Sequence, residues 1–82
     1  MELTQEAWDD LMDQWDVANR DGEGYGIGEE NGDPEEAVLA EGWEVLARHV
    51  ERTVLARKPD GTYVVVCDSG GPWCVDVEDD GE

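Results

Sequence analysis

The apolar positions change period along the chain. From Ala7 to Ala18 they recur at helical spacing, as Ala7, Trp8, Leu11, Met12, Trp15 and Ala18, with Asp9, Asp10, Asp13 and Asp16 mostly on the other side. Thr4 is placed to cap this segment and Glu6 lies in its first turn, where negative charge favours the dipole. The pattern predicts an amphipathic helix of about four turns. A second helix is signalled by Asp33-Pro34-Glu35-Glu36, with Asp33 as N-cap, Pro34 at the first helical position and Glu36 closing a capping box. Its stripe of Val38, Leu39, Trp43, Leu46, Ala47 and Val50 predicts a helix to His49 or Val50, across Gly42. Arg48 and His49 would then suit its negative C-terminal end.

Beyond Val54 the period becomes two. Three short runs rich in β-branched residues are separated by Pro59-Asp60-Gly61 and by Asp68-Ser69-Gly70-Gly71-Pro72, and they predict an antiparallel meander. A three-residue Pro-Asp-Gly loop places Lys58 opposite Thr62, Ala56 opposite Val64 and Val54 opposite Val66. Across the second turn we expect Cys67 opposite Cys74, which puts Val66 opposite Val75 and Val64 opposite Val77. One face then carries Val54, Ala56, Val64, Val66, Trp73, Val75 and Val77 as the buried set. Between the helices, Asn19–Gly32 is Gly-rich and acidic, and it reads as a loop with a short edge strand whose Tyr25 and Ile27 point inward. The expected fold is a single α+β domain over residues 1–82: two amphipathic helices on an antiparallel sheet of three or four strands, with 78–82 a frayed acidic tail.

Charge alters the functional picture more than any motif does. The chain has 82 residues, 23 acids against 5 bases, and a net charge of −18. Residues 1–47 hold fifteen acids and one base, Arg20, whereas Arg48, Arg52, Arg57 and Lys58 crowd into one basic strip. Such a surface repels phosphates, which argues against direct binding to DNA or RNA and against an anionic membrane surface. No apolar run reaches spanning length, and the N-terminus lacks a positive region followed by an apolar stretch, so the expected compartment is cytoplasmic.

Candidate chemistry is sparse. His49 is the one histidine and has no Cys or Ser constellation beside it, so no catalytic base is assigned. Cys67 and Cys74 are too few for zinc; a cross-strand disulfide is geometrically feasible, but a reduced pair suits the compartment better. The glycines from Gly22 to Gly28 do not follow a strand and sit among acids, unlike a phosphate loop. Asn19, Asp21, Glu23, Gly24 and Glu30 do fall at calcium-loop spacing, although Ile27 comes one place late and Pro34 interrupts the exiting helix. The expectation is therefore a non-enzymatic chain with no cofactor. Its acid excess fits three settings: imitation of nucleic-acid phosphates toward a basic nucleic-acid-processing protein, the general acidity of a halophilic host, or an immunity or adaptor protein for a basic toxin. Glu29, Glu30, Asp33, Glu35 and Glu36 cluster at one helix entrance and form the expected central patch, with Asp9, Asp13 and Asp16 as flanks.

The C-terminal run Tyr63-Val64-Val65-Val66-Cys67-Asp68-Ser69-Gly70-Gly71-Pro72-Trp73-Cys74-Val75-Asp76-Val77-Glu78, followed by Asp79-Asp80-Gly81, resembles the phage-encoded uracil-DNA glycosylase inhibitors, which are small acidic DNA mimics. In that family a Val/Leu strand ends in a Ser/Asp turn and a Pro-Trp pair opens the next strand. Its second helix begins Pro-Glu-Glu, as Pro34-Glu35-Glu36 does here. The order of helix, short strand, helix and meander is also similar. The resemblance implies that Glu36, with Glu29 or Glu30, would act as phosphate mimics. It further implies that Val38 and Leu39 would receive an apolar side chain from the target's DNA-probing loop. Anti-CRISPR proteins are a second group of small acidic phage inhibitors, so a CRISPR-type nuclease complex is the other expected target.

Overall fold

A computed structural model describes residues 3–29, 32–49 and 52–77. The elements in chain order are α1 (Gln5–Arg20), β1 (Tyr25–Gly26), α2 (Pro34–Ala40), β2 (Glu44–His49), β3 (Thr53–Arg57), β4 (Tyr63–Asp68) and β5 (Pro72–Val77). The five strands form one antiparallel sheet in the order β1-β5-β4-β3-β2. The fold is α+β, as the hydrophobic pattern indicates, with one strand more than the upper expectation. The expected tail at 78–82 lies outside the described residues.

α1 forms where its pattern places it. The Thr4 hydroxyl accepts a hydrogen bond from the Ala7 N–H at 3.1 Å and closes the first turn. Trp8 is buried, and Leu11, Met12, Trp15 and Ala18 pack with it on Leu55, Val65, Cys67, Val75 and Val77 of the sheet. α2 lies on the opposite face, where Val38 packs with Val54, Ala56, Val64, Val66 and Cys74. β4 is therefore covered on both sides, and Val64, Val65 and Val66 are all fully buried. Each such valine stabilises the fold by about 1.5–3 kcal/mol relative to exposure.

The second helix is shorter than its apolar stripe suggests. It stops at Ala40, and the residues expected to continue it, Glu44 to His49, form the edge strand β2. Gly42 takes φ of +83°. Its N–H donates to the Leu39 carbonyl at 3.0 Å, and the Trp43 N–H to the Val38 carbonyl at 3.1 Å. This is a glycine-terminated helix end that satisfies the last carbonyls and turns the chain out. Arg48 and His49 accordingly sit on a strand, and the His49 ring lies 5.0 Å from the Trp8 ring, tilted by 60°. At the start of α2, Asp33 occupies the N-cap position, but no side-chain cap bond forms and the expected capping box is absent.

The first hairpin has the expected register, with Ala56 opposite Val64 and Val54 opposite Val66. Its turn is closed by Lys58 N–H to the Thr62 carbonyl at 2.8 Å, and by Thr62 N–H to Asp60 Oδ1 at 2.9 Å. The second hairpin is displaced by one residue from expectation. Asp68 pairs with Pro72 and Cys67 with Trp73, so Val66 faces Cys74, Val65 faces Val75 and Val64 faces Asp76. The loop is only Ser69-Gly70-Gly71, tightened by Ser69 N–H to the Gly71 carbonyl at 2.9 Å, with both glycines at positive φ. The expected single buried face becomes two. Val75 and Val77 move to the α1 side, and Cys74 joins the α2 side. Cys67 and Cys74 are thus buried on opposite faces as free thiols, which rules out the disulfide.

Candidate functional site

All five basic side chains are engaged by carboxylates. Arg20 pairs with Asp16 at 2.7 Å, Arg57 with Glu44 at 2.6 Å, and Lys58 with Asp76 at 2.8 Å. Arg48 grips Glu35 with two parallel bonds of 2.5 and 2.7 Å. Arg52, at φ of 59°, contacts Asp68 at 3.0 Å, Asp33 at 3.9 Å and the Gly32 carbonyl at 3.4 Å. The basic strip foreseen at a helix end is in fact spread over β2, β3 and their connection, where it neutralises neighbouring acids. The surplus carboxylates are left as the outward charge.

The expected central patch is partly assembled. Glu29, Asp33 and Glu36 line one shallow cleft at the entrance of α2, with Gly28, Ala37 and Ala40. Gly28 holds φ of +67°, and a Cβ there would meet the Ala37 Cβ at 2.8 Å, so glycine lets this loop close onto the helix. Among the described residues, Glu29 and Glu36 have no basic partner, whereas Glu35 is turned away to Arg48. The hydrogen bonds from Arg48 hold the Glu35 carboxyl below its usual range. Glu30 lies outside the described residues. Val38 cannot receive a partner's side chain because it is completely buried against the sheet, but Leu39 is 56% exposed beside the cleft.

Asp9, Asp13 and Asp16 do not flank this cleft. They lie on α1, across the sheet from α2, and Asp16 is paired with Arg20. Asp9 accepts a bond from Gln5 Nε2 at 2.9 Å. Asp13 instead joins Asp21, Glu23 and Asp76 around Val17, which is 47% exposed. The sequence pattern does not single out this second acidic surface, which forms where the end of α1 and the turn after it meet β5. The carboxylates are therefore divided between two faces.

The calcium-loop spacing does not become a calcium loop. Asn19 is still inside α1; its amide donates to the Trp15 carbonyl at 3.0 Å, and its Oδ1 accepts from the Trp73 indole N–H. Asp21 caps the helix and β1 interrupts the segment. A Cβ on Gly24 would run into the Trp73 indole, so that glycine serves packing rather than an ion loop. Among the described residues no group of three or more His, Cys, Asp or Glu could hold a metal ion, and no helix is long and apolar enough to cross a membrane. No protein-family model matches the chain, and neither a curated protein nor a solved structure matches it, leaving its own geometry and charge to carry the functional reading.

Proposed function

We propose that this protein is a non-enzymatic inhibitor that blocks the basic nucleic-acid-binding groove of a nucleic-acid-processing protein by presenting carboxylates in place of phosphates. One observation carries the reading: every basic side chain is consumed in an ion pair, while Glu29 and Glu36 stay uncompensated in a cleft beside exposed Leu39. Charge-assisted bonds to arginines of the partner would orient the complex, and the net charge of −18 would steer its approach. The cleft carboxylates supply the polar contacts, and Leu39 supplies an apolar anchor beside them. The order α1, β1, α2 and meander, with Pro34-Glu35-Glu36 opening α2 and Pro72-Trp73 opening β5, supports uracil-DNA glycosylase as the first target to try.

The test is a competition assay in which this protein is titrated against uracil-DNA glycosylase and its DNA substrate, and in parallel against a CRISPR-type nuclease complex. The expected result is inhibition of one of them that is relieved by the substitution Glu36→Gln and weakened steeply by added salt. Binding to a nucleic-acid enzyme that is flat from low to high salt would remove the electrostatic basis of the proposal. Capture of a basic toxin from host lysate would move the same physics to an immunity role. A protein that is unfolded at low salt and folds only near saturation would favour the halophilic setting.

A further inference from the structure

We infer that Lys58 is a positioning residue for the α2 cleft: its ammonium ties β1 to the sheet and so fixes the segment that carries Glu29. This rests on reading the cleft as the partner-binding surface. β1 has only two ladder residues, Tyr25 opposite Cys74 and Gly26 opposite Trp73, extended by Ile27 N–H to the Pro72 carbonyl at 3.1 Å. So short an edge strand is not held by its ladder alone.

Lys58 supplies the missing tie. It follows β3 on the α2 face, where strand alternation aligns it with Val54 and Ala56. Its Nζ lies 2.8 Å from Asp76 Oδ1, and the Tyr25 hydroxyl donates to that same oxygen at 2.9 Å. The ammonium is also 5.0 Å from the Tyr25 ring centroid and 5.5 Å from that of Trp43. One cation therefore links β1, β5 and the connection between α2 and β2.

The side chain is 20% exposed, against 44% or more for the four arginines in their pairs. Its enclosure has a simple origin. α2 has seven residues and spans about 10 Å, too little to cover a five-stranded face, so the Lys58 stem covers part of the remainder between Tyr25 and Trp43. Burial works against the charge, but the hydrogen bonds to Asp76 and Tyr25 outweigh it and push the pKa up to about 12. From Tyr25 the chain runs through Ile27 and Gly28, which packs on Ala37, to Glu29 at the cleft. Where Tyr25 is held decides where Glu29 stands relative to Glu36.

Two variants separate the tie from a simple change of charge. Lys58→Met keeps the stem and loses the cation, and Lys58→Arg keeps a cation. Amide exchange is measured by NMR, together with a titration of octa-arginine followed at the amides of Gly28, Gly32 and Glu36. In Lys58→Met we expect exchange at Tyr25–Gly28 to rise about tenfold while Val64–Val66 stay protected, with partial recovery in Lys58→Arg. Octa-arginine should bind the cleft of Lys58→Met more weakly even though that variant is more negative, whereas charge alone would tighten it. Unchanged exchange at Tyr25–Gly28, or equal or tighter binding at the cleft, overturns the assignment. A wild-type cleft that ignores octa-arginine sinks the binding reading instead, and the exchange rates then decide the role of Lys58.

Discussion

Trp15 donates its indole N–H to the backbone carbonyl of Trp73 at 3.2 Å, and Trp73 answers through Asn19: its own indole N–H is accepted by Asn19 Oδ1, while the Asn19 amide returns to the Trp15 carbonyl at 3.0 Å. This closed exchange joins the end of α1 to β5, residues 58 apart in the chain. It also explains the glycines before α2, since the Trp73 ring lies across Gly24 and Gly26, and a Cβ on Gly26 would stand 3.4 Å from it.

Asn19→Ala removes the acceptor and leaves a half-buried indole N–H without its partner, so it should cost about 1–2 kcal/mol in urea unfolding. Gly24→Ala forces a Cβ into the indole, and the expected cost is about 1–3 kcal/mol. Stability equal to wild type in both variants would mean that the exchange does not hold α1 to the sheet.

Gly28 and Gly42 both hold positive φ, but their surroundings differ. A Cβ at Gly42 meets nothing within 4 Å, whereas one at Gly28 meets Ala37 at 2.8 Å. Gly42→Ala should therefore cost only the backbone penalty of about 1–2 kcal/mol. Gly28→Ala should cost more, because α2 must shift as well, and it should perturb the amide shifts of Glu36 and Ala37. Equal losses in the two would show that the loop is not pressed against the helix.

Val38 and Leu39 are neighbours with opposite fates. Val38→Ala empties a fully buried site and should cost about 2 kcal/mol by chemical denaturation. Leu39→Ala alters an exposed side chain and should change stability by less than about 0.5 kcal/mol, while weakening binding to the partner. A destabilised Leu39→Ala would instead place that side chain in the fold's support.

Stability should fall as pH rises through the alkaline range. Burial pushes the Cys74 thiol up to about 12, Lys58 stands near 12, and burial raises the Tyr25 phenol. The folded chain keeps protons that the unfolded chain gives up, so this stability is complete below about pH 8.5, where the unfolded thiol begins to ionise, and drains away toward pH 12. At the acid end the sign reverses: Glu35 is held low by Arg48, so its contribution is present above the usual carboxylate range and is lost as pH falls through its folded value. Thermal melts from pH 8 to 12 should show falling Tm, and Cys74→Ala should flatten that fall.

Three local features were legible because their causes act within a few residues: the Thr4 cap, the helical stripe of α1 and the Pro59-Asp60-Gly61 hairpin. The departures from the apolar pattern share a cause too. Val38, Leu39, Trp43, Leu46 and Ala47 mimic a helical stripe, and the terminating φ of Gly42 is outvoted when only apolar spacing is counted. The second hairpin was ambiguous by one residue because β5 is apolar on both faces, so either register buries valines. Of the foreseen patch, Glu29, Asp33 and Glu36 meet in one cleft; Glu35 is claimed by Arg48, and α1 holds its aspartates on the far side of the sheet.

From the linear chain alone follow the sign and size of the charge, the helix starts and the first turn, since formal charge is a sum and caps and turns depend on near neighbours. Packing settled the rest: that both sheet faces are covered, which thiol lies on which side, and which carboxylates stay uncompensated. An ion pair forms at 4 Å or less between groups such as Glu35 and Arg48, 13 residues apart, and such distances exist only once strands and helices have found their partners.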